Sequence, residues 1–151
     1  MAGVKIATVL DSISKLSVSG VTIKDVDTIP QEVTERLCPI LFPSPDGLVT
    51  GLTVTPQSFG AGTSGKNDVN YTLNYVYLHA PIGSGRFIAD NVSAMVAKVV
   101  LILNALIAND AVTGSVDIEP SIGEFGVIED LSGNQFHGVT ITIKVLEFYE
   151  V

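Results

Sequence analysis

The residues with the clearest claim to chemistry are Gly60-Ala-Gly62-Thr-Ser-Gly65-Lys66-Asn67. Their spacing meets that of a dinucleotide loop and, but for Asn67 in place of Ser or Thr, that of a phosphate-binding P-loop. Such a loop works because a strand leads through it into a helix N-terminus, whose N–H groups and dipole face the anion, while its hydroxyl holds magnesium. Here the hydroxyl is missing, and Val69-Asn-Tyr-Thr-Leu-Asn-Tyr-Val-Tyr-Leu follows, which is a strand pattern. The segment therefore reads as a flexible glycine-rich hairpin tip, and no nucleotide or other cofactor is expected. Gly83-Ser-Gly85-Arg86 reads as the turn into a helix.

Nucleophilic and metal chemistry find less support. His79 and His137 are the only imidazoles, each near the end of an expected strand, and no paired His or Cys spacing offers a metal site. A serine nucleophile needs a base and an orienting acid; no Gly-x-Ser-x-Gly elbow links the three types here. His137 reads as a strand-end histidine bonded to backbone, Cys38 as a small buried hydrophobe, and Glu129-Asp130 as a solvated tip. No catalytic, cofactor-binding or metal-binding residue is assigned, and the chain is not expected to be an enzyme.

The elements that would position any site follow from periodicity. Gln135 to Val151 alternates apolar and polar residues, with Val139, Ile141, Ile143 and Val145 on one face and Thr140, Thr142 and Lys144 on the other. That run exceeds the roughly five or six residues of a typical strand, which suggests a sheet that also serves a neighbour. Phe87 to Asn109 has helical spacing through Ile88, Val92, Met95, Val96, Val99, Leu103 and Leu106, and from Val99 it is apolar nearly all round. Such a helix is either the central core helix or shared with a partner. A first helix is expected over Val4 to Leu16, a strand from Val21 to Val26 and a short helix from Gln31 to Leu37, broken by Pro39 and the Pro43-Ser-Pro-Asp-Gly47 cluster. Leu48 to Thr55 and Val69 to Leu78 read as a hairpin with a long loop over 56–68. Gly114 to Glu119, Gly126 to Leu131 and Phe136 to Phe148 read as three more strands. Strands in hairpin pairs with helices inserted give an α+β fold: an antiparallel or mixed sheet of about five to six strands, with two main helices packed on one face.

Composition sets the outer bounds. A chain of 151 residues is expected to form one domain, 1–151, burying about 70% of its unfolded surface. A single cysteine excludes an intrachain disulfide framework. No basic, apolar leader opens the chain, and no apolar run reaches the about 20 residues of a membrane span, so neither secretion nor membrane association is expected. Charge is uneven. Met1 to Asn109 holds eight acids and seven bases, net −1, whereas Asp110 to Val151 holds eight acids and only Lys144, net −7. Asp117, Glu119, Glu124, Glu129 and Asp130 would repel phosphate. This makes nucleic-acid binding an unsuitable role and leaves a solvated face, or a wall past which DNA slides.

The order of a first helix, Arg36-Leu-Cys-Pro, the long-loop hairpin, a helix after Tyr77-Leu-His-Ala-Pro and a closing Phe136-His-Gly-Val-Thr-Ile strand ending Glu147-Phe-Tyr-Glu resembles one family. It is similar to the tail-terminator and related tail-completion proteins of long-tailed bacteriophages. The resemblance is one of order and texture over most of the chain. It implies a virion subunit of the tail or neck, assembled in the host cytoplasm. Such a subunit forms a homo-oligomeric, hexameric ring at the head-proximal end of the tail tube, stops tube polymerisation and joins the tube to a head-side connector or stopper protein. DNA would pass through without specific binding. The family has no catalytic signature, so no active site is carried over. On this reading the expected subunit interface takes Val99, Leu103, Leu106 and Val145 with the loop residues Gly60, Gly62, Gly65 and Lys66, while Asp117, Glu119, Glu124, Glu129 and Asp130 line an acidic lumen. The alternatives are a head-completion or adaptor protein of the neck and, in a different class, a small enzyme using His137 with a nearby acid or a ligand-binding domain.

Overall fold

A computed structural model describes residues 6–56, 66–82, 88–108 and 116–150. Their elements are α1 (Ile6–Ser14), β1 (Thr22–Ile23), β2 (Ile40–Pro43), β3 (Val49–Pro56), β4 (Lys66–Pro81), α2 (Ile88–Ala108), β5 (Asp117–Glu129) and β6 (Gln135–Glu150), with single 3-10 turns at Val26–Thr28 and Glu35–Leu37. The sheet runs β1-β2-β4-β6-β5, and β3 also pairs with β4. Only β1 and β2 are parallel, so the sheet is mixed. This is the expected α+β architecture.

Period-2 alternation in β4 and β6 produces the two layers. These 16-residue strands pair from Lys66 opposite Glu150 to Pro81 opposite Phe136, far beyond ordinary strand length. On one face Tyr71, Leu73 and Tyr75 of β4 meet Ile141, Ile143 and Val145 of β6, under Val9 and Ile13 of α1 and Met95, Val99, Ile102 and Leu106 of α2. Each fully buried aliphatic side chain of α2 contributes about 1.5–3 kcal/mol to holding the helix on the sheet. Both helices thus lie on one face, as expected. The opposite face is apolar only at one end, where Val33, Ile40, Phe42, Val76, Leu78 and Phe136 form a second cluster covered by Ile29, Leu37 and Cys38.

Two strands depart from the sequence expectation. Ile40-Leu-Phe-Pro43, taken there only as part of a proline-broken stretch, is β2, with all four residues buried. Burial on both faces erases alternation, and four apolar residues between prolines carry no period to read. The expected pair 114–119 and 126–131 is in fact one strand, β5, whose register against β6 shifts between Ile122 and Phe125. Gly123 sits in that irregularity, and a Cβ there would run into the Thr140 side chain. The glycine that reads as a break is a close approach within a continuous strand. The expected strand from Val21 to Val26 shrinks to Thr22–Ile23 before a 3-10 turn capped by Asp25, whose carboxylate accepts from Asp27 N–H at 3.0 Å.

Candidate functional site: outward faces and buried polar groups

Helical geometry divides α2 into two faces. Met95, Val99, Ile102 and Leu106 recur at three- and four-residue spacing and are sealed in the core, while Val92, Val96, Val100, Leu101 and Ile107 remain exposed. Ile107 keeps 60% of its surface. Lys98 is the only charge from Val92 to Ala108, and its amine donates to the Ser19 carbonyl at 2.9 Å. From Val92 onward the apolar pattern therefore resolves into a core stripe and an outward face without carboxylates.

That division corrects the expected interface. Val99, Leu106 and Val145 are at most 2% exposed and pack within their own chain, so they cannot reach a neighbour. Leu103 is half-buried against the same core. The outward residues are Val92, Val96, Val100, Leu101 and Ile107; the helical period found the face but not which side of it the sheet would take. Gly60, Gly62 and Gly65 lie outside the described residues. Lys66 opens β4 opposite Glu150, so the glycine-rich segment leads into a strand and not into a helix N-terminus.

The acidic residues separate in the same way. Asp117, Glu119, Glu124 and Glu129 are exposed along β5, with Glu119 opposite Lys144 and Asp117 opposite Leu146 across the sheet. Asp130 is different: it is 9% exposed, and its carboxylate accepts from Val33 N–H, Ser132 N–H and Asn134 N–H at 2.9 Å each and from Asn134 Nδ2 at 3.1 Å. Burial alone would push this carboxyl up, but the four hydrogen bonds outweigh it and hold the group below the usual carboxylate range. Asp130 is a turn anchor whose acceptors are all engaged, and it is removed from the expected lumen set. Glu129 remains a surface group beside Gln135, whose Nε2 donates to it at 3.4 Å.

The imidazoles and the cysteine stand at one end of the sheet. Tyr77 Oη and His79 Nδ1 are hydrogen-bonded at 2.7 Å. Burial lowers the His79 pKa, and the nearby His137 and Lys98 lower it further, while burial raises the Tyr77 phenol. His137 is 4% exposed and lies in register with Ala80 and Val127 on the adjacent strands. Cys38 is half-buried in the second apolar cluster. Sequence reasoning missed a buried acid. Glu147 is 2% exposed, and the pKa of the nearby Tyr71 phenol is raised first by burial and then by Glu147. Parity was the available signal, because Glu147 continues the core face of Ile143 and Val145.

Among the described residues no group of three His, Cys, Asp or Glu side chains could hold a metal ion. A concavity of about 380 Å³ on the helix-free face is lined by Phe42, Val76, Ile128 and Thr140 together with Asp46 and Glu129. No described helix is long and apolar enough to cross a membrane. No family model and no curated protein matches this sequence.

Proposed function

We propose that this chain is a structural subunit of the tail end or neck of a long-tailed bacteriophage. It assembles as a ring that ends the tail tube and joins it to the head-side connector. The observation that carries the reading is the outward face of α2 from Val92 to Ala108, where Val92, Val96, Val100, Leu101 and Ile107 are exposed and no carboxylate occurs, in a chain of net charge −8. An isolated subunit gains nothing from leaving Val96, Val100 and Ile107 in water, whereas contiguous exposed apolar surface marks a protein contact. The 16-residue strands support the same reading, since they provide a platform longer than a small core requires.

The acids on β5 suit the passage of DNA. Asp117, Glu119, Glu124 and Glu129 give a wall with little affinity for phosphate, so DNA can move without the counterion release that makes basic surfaces adhere. The test is reconstitution with tail tube protein. Added to polymerising tubes, the chain should stop growth and appear as a ring at one tube end by electron microscopy. Tubes that grow to the same length distribution with and without it, and carry no extra density, refute the reading.

A further inference from the structure

Besides the outward face of α2 from Val92 to Ala108, a second exposed stretch lacks carboxylates. Strand β3, Val49-Thr-Gly-Leu-Thr-Val-Thr-Pro56, contains no ionisable residue, and residues 50–55 are exposed throughout, with Leu52 and Val54 keeping about half of their surface. Among the described residues β3 pairs with β4 alone, leaving its other edge open. The far edge of the sheet, β5, is unlike it: exposed Ile122 and Val127 are interleaved there with Glu119, Glu124 and Glu129.

Charge decides which of these surfaces a second copy can meet. Two chains of net charge −8 repel, so close contact between them is least costly where carboxylates are absent from both sides. The outward face of α2 from Val92 to Ala108, past Asp90, and the strand β3 satisfy that condition. Their lengths also agree: the 17 helical residues from Val92 to Ala108 span about 25 Å and a strand of eight about 27 Å. Ser93 and Ala97 on the helix add no bulk between Val92, Val96 and Val100.

The two surfaces do not overlap, because α2 packs over β5 and β6 while β3 lies on the far side of β4. We infer that the outward face of α2 in one copy docks against β3, around Leu52 and Val54, of the next. The assignment rests on the ring reading above and specifies its contact. A contact between different surfaces is head-to-tail and gives a ring where the rotation per copy closes, unlike a two-fold pairing of α2 with α2. A strip of about 25 by 10 Å from each side buries roughly 500 Å², less than half of what a stable pair needs. A single such contact is weak; in a closed ring each copy makes two.

Cysteine cross-linking of the full chain tests this, in a Cys38→Ser background and with circular dichroism confirming the fold of each variant. A short bis-maleimide should couple Val96→Cys chains to Leu52→Cys chains when the two are mixed, and neither variant to itself. A chain carrying both substitutions should give a ladder of linked species up to the full ring. Self-coupling of Val96→Cys alone overturns the inference in favour of two-fold helix pairing. Assembly visible by light scattering with no Val96–Leu52 coupling overturns this contact while leaving the ring reading intact. Chains that remain monomeric, even with tail tube protein, overturn both.

Discussion

Replacing Asp130 by Ala removes the acceptor of four hydrogen bonds at once. One of them ties Val33, in the segment that covers the second apolar cluster, to the turn between β5 and β6. A hydrogen bond to a charged group nets about 1.5–3 kcal/mol, and bonds sharing one carboxylate do not add, because the freed turn relaxes and takes up water. The expected loss is about 3 kcal/mol for Asp130→Ala. Asp130→Asn should lose about half as much, since it keeps an acceptor for Ser132 and Asn134 but turns an amide N–H₂ toward the Val33 donor. For a chain of this size, about 3 kcal/mol corresponds to a fall of roughly 6–12 °C in melting temperature at pH 7. The pH dependence has a definite sign. The folded pKa lies below the unfolded one, so the stabilisation by the ionised carboxylate is fully present above about pH 4 and is lost as pH falls through the lower folded value. Wild type and Asp130→Ala should therefore differ at pH 7 and converge in strong acid, read by thermal or urea denaturation. Melting of Asp130→Ala within about 2 °C of wild type at pH 7 would refute the anchoring role, as would a gap that widens in acid.

Further outcomes follow from other sites. A Cβ at Gly138 would strike the Tyr77 carbonyl on the neighbouring strand and crowd Leu78 and Ile128, so Gly138→Ala should cost about 2–4 kcal/mol in urea denaturation, at the high end of single substitutions; a neutral effect would show that β4 and β6 can separate at little cost. Because the folded pKa of His79 is lowered, stability should fall as pH drops through about 6.5 toward that lower value, and His79→Gln should flatten this part of the profile. On the proposed ring reading, changing Glu119, Glu124 and Glu129 together to Lys should allow assembly yet slow DNA ejection from particles, with the defect easing as salt rises; a defect insensitive to salt would refute the assignment of these acids to a DNA channel.

The alternation of Val139 to Val145 and the helical spacing of Val92 to Leu106 carry their own reading, since both periods are local consequences of backbone geometry. From them follow the two long elements, the α+β class and the placement of helices on one face. The imbalance of charge toward the last 42 residues is likewise a property of the chain alone. What local sequence lacks is any record of what lies opposite. Val99 and Val100 are adjacent and chemically identical, yet the sheet takes the first and leaves the second in water. Asp130 follows Glu129 in the chain, and only the approach of Val33 from 97 residues away turns one into a buried anchor while its neighbour stays on the surface. Strand β2 is a strand because β1 and β4 flank it, and Gly123 belongs to a continuous strand because Thr140 fills the space a side chain would need. Periodicity fixes which residues share a face, whereas burial depends on long-range packing, which determines whether that face meets the core or the solvent.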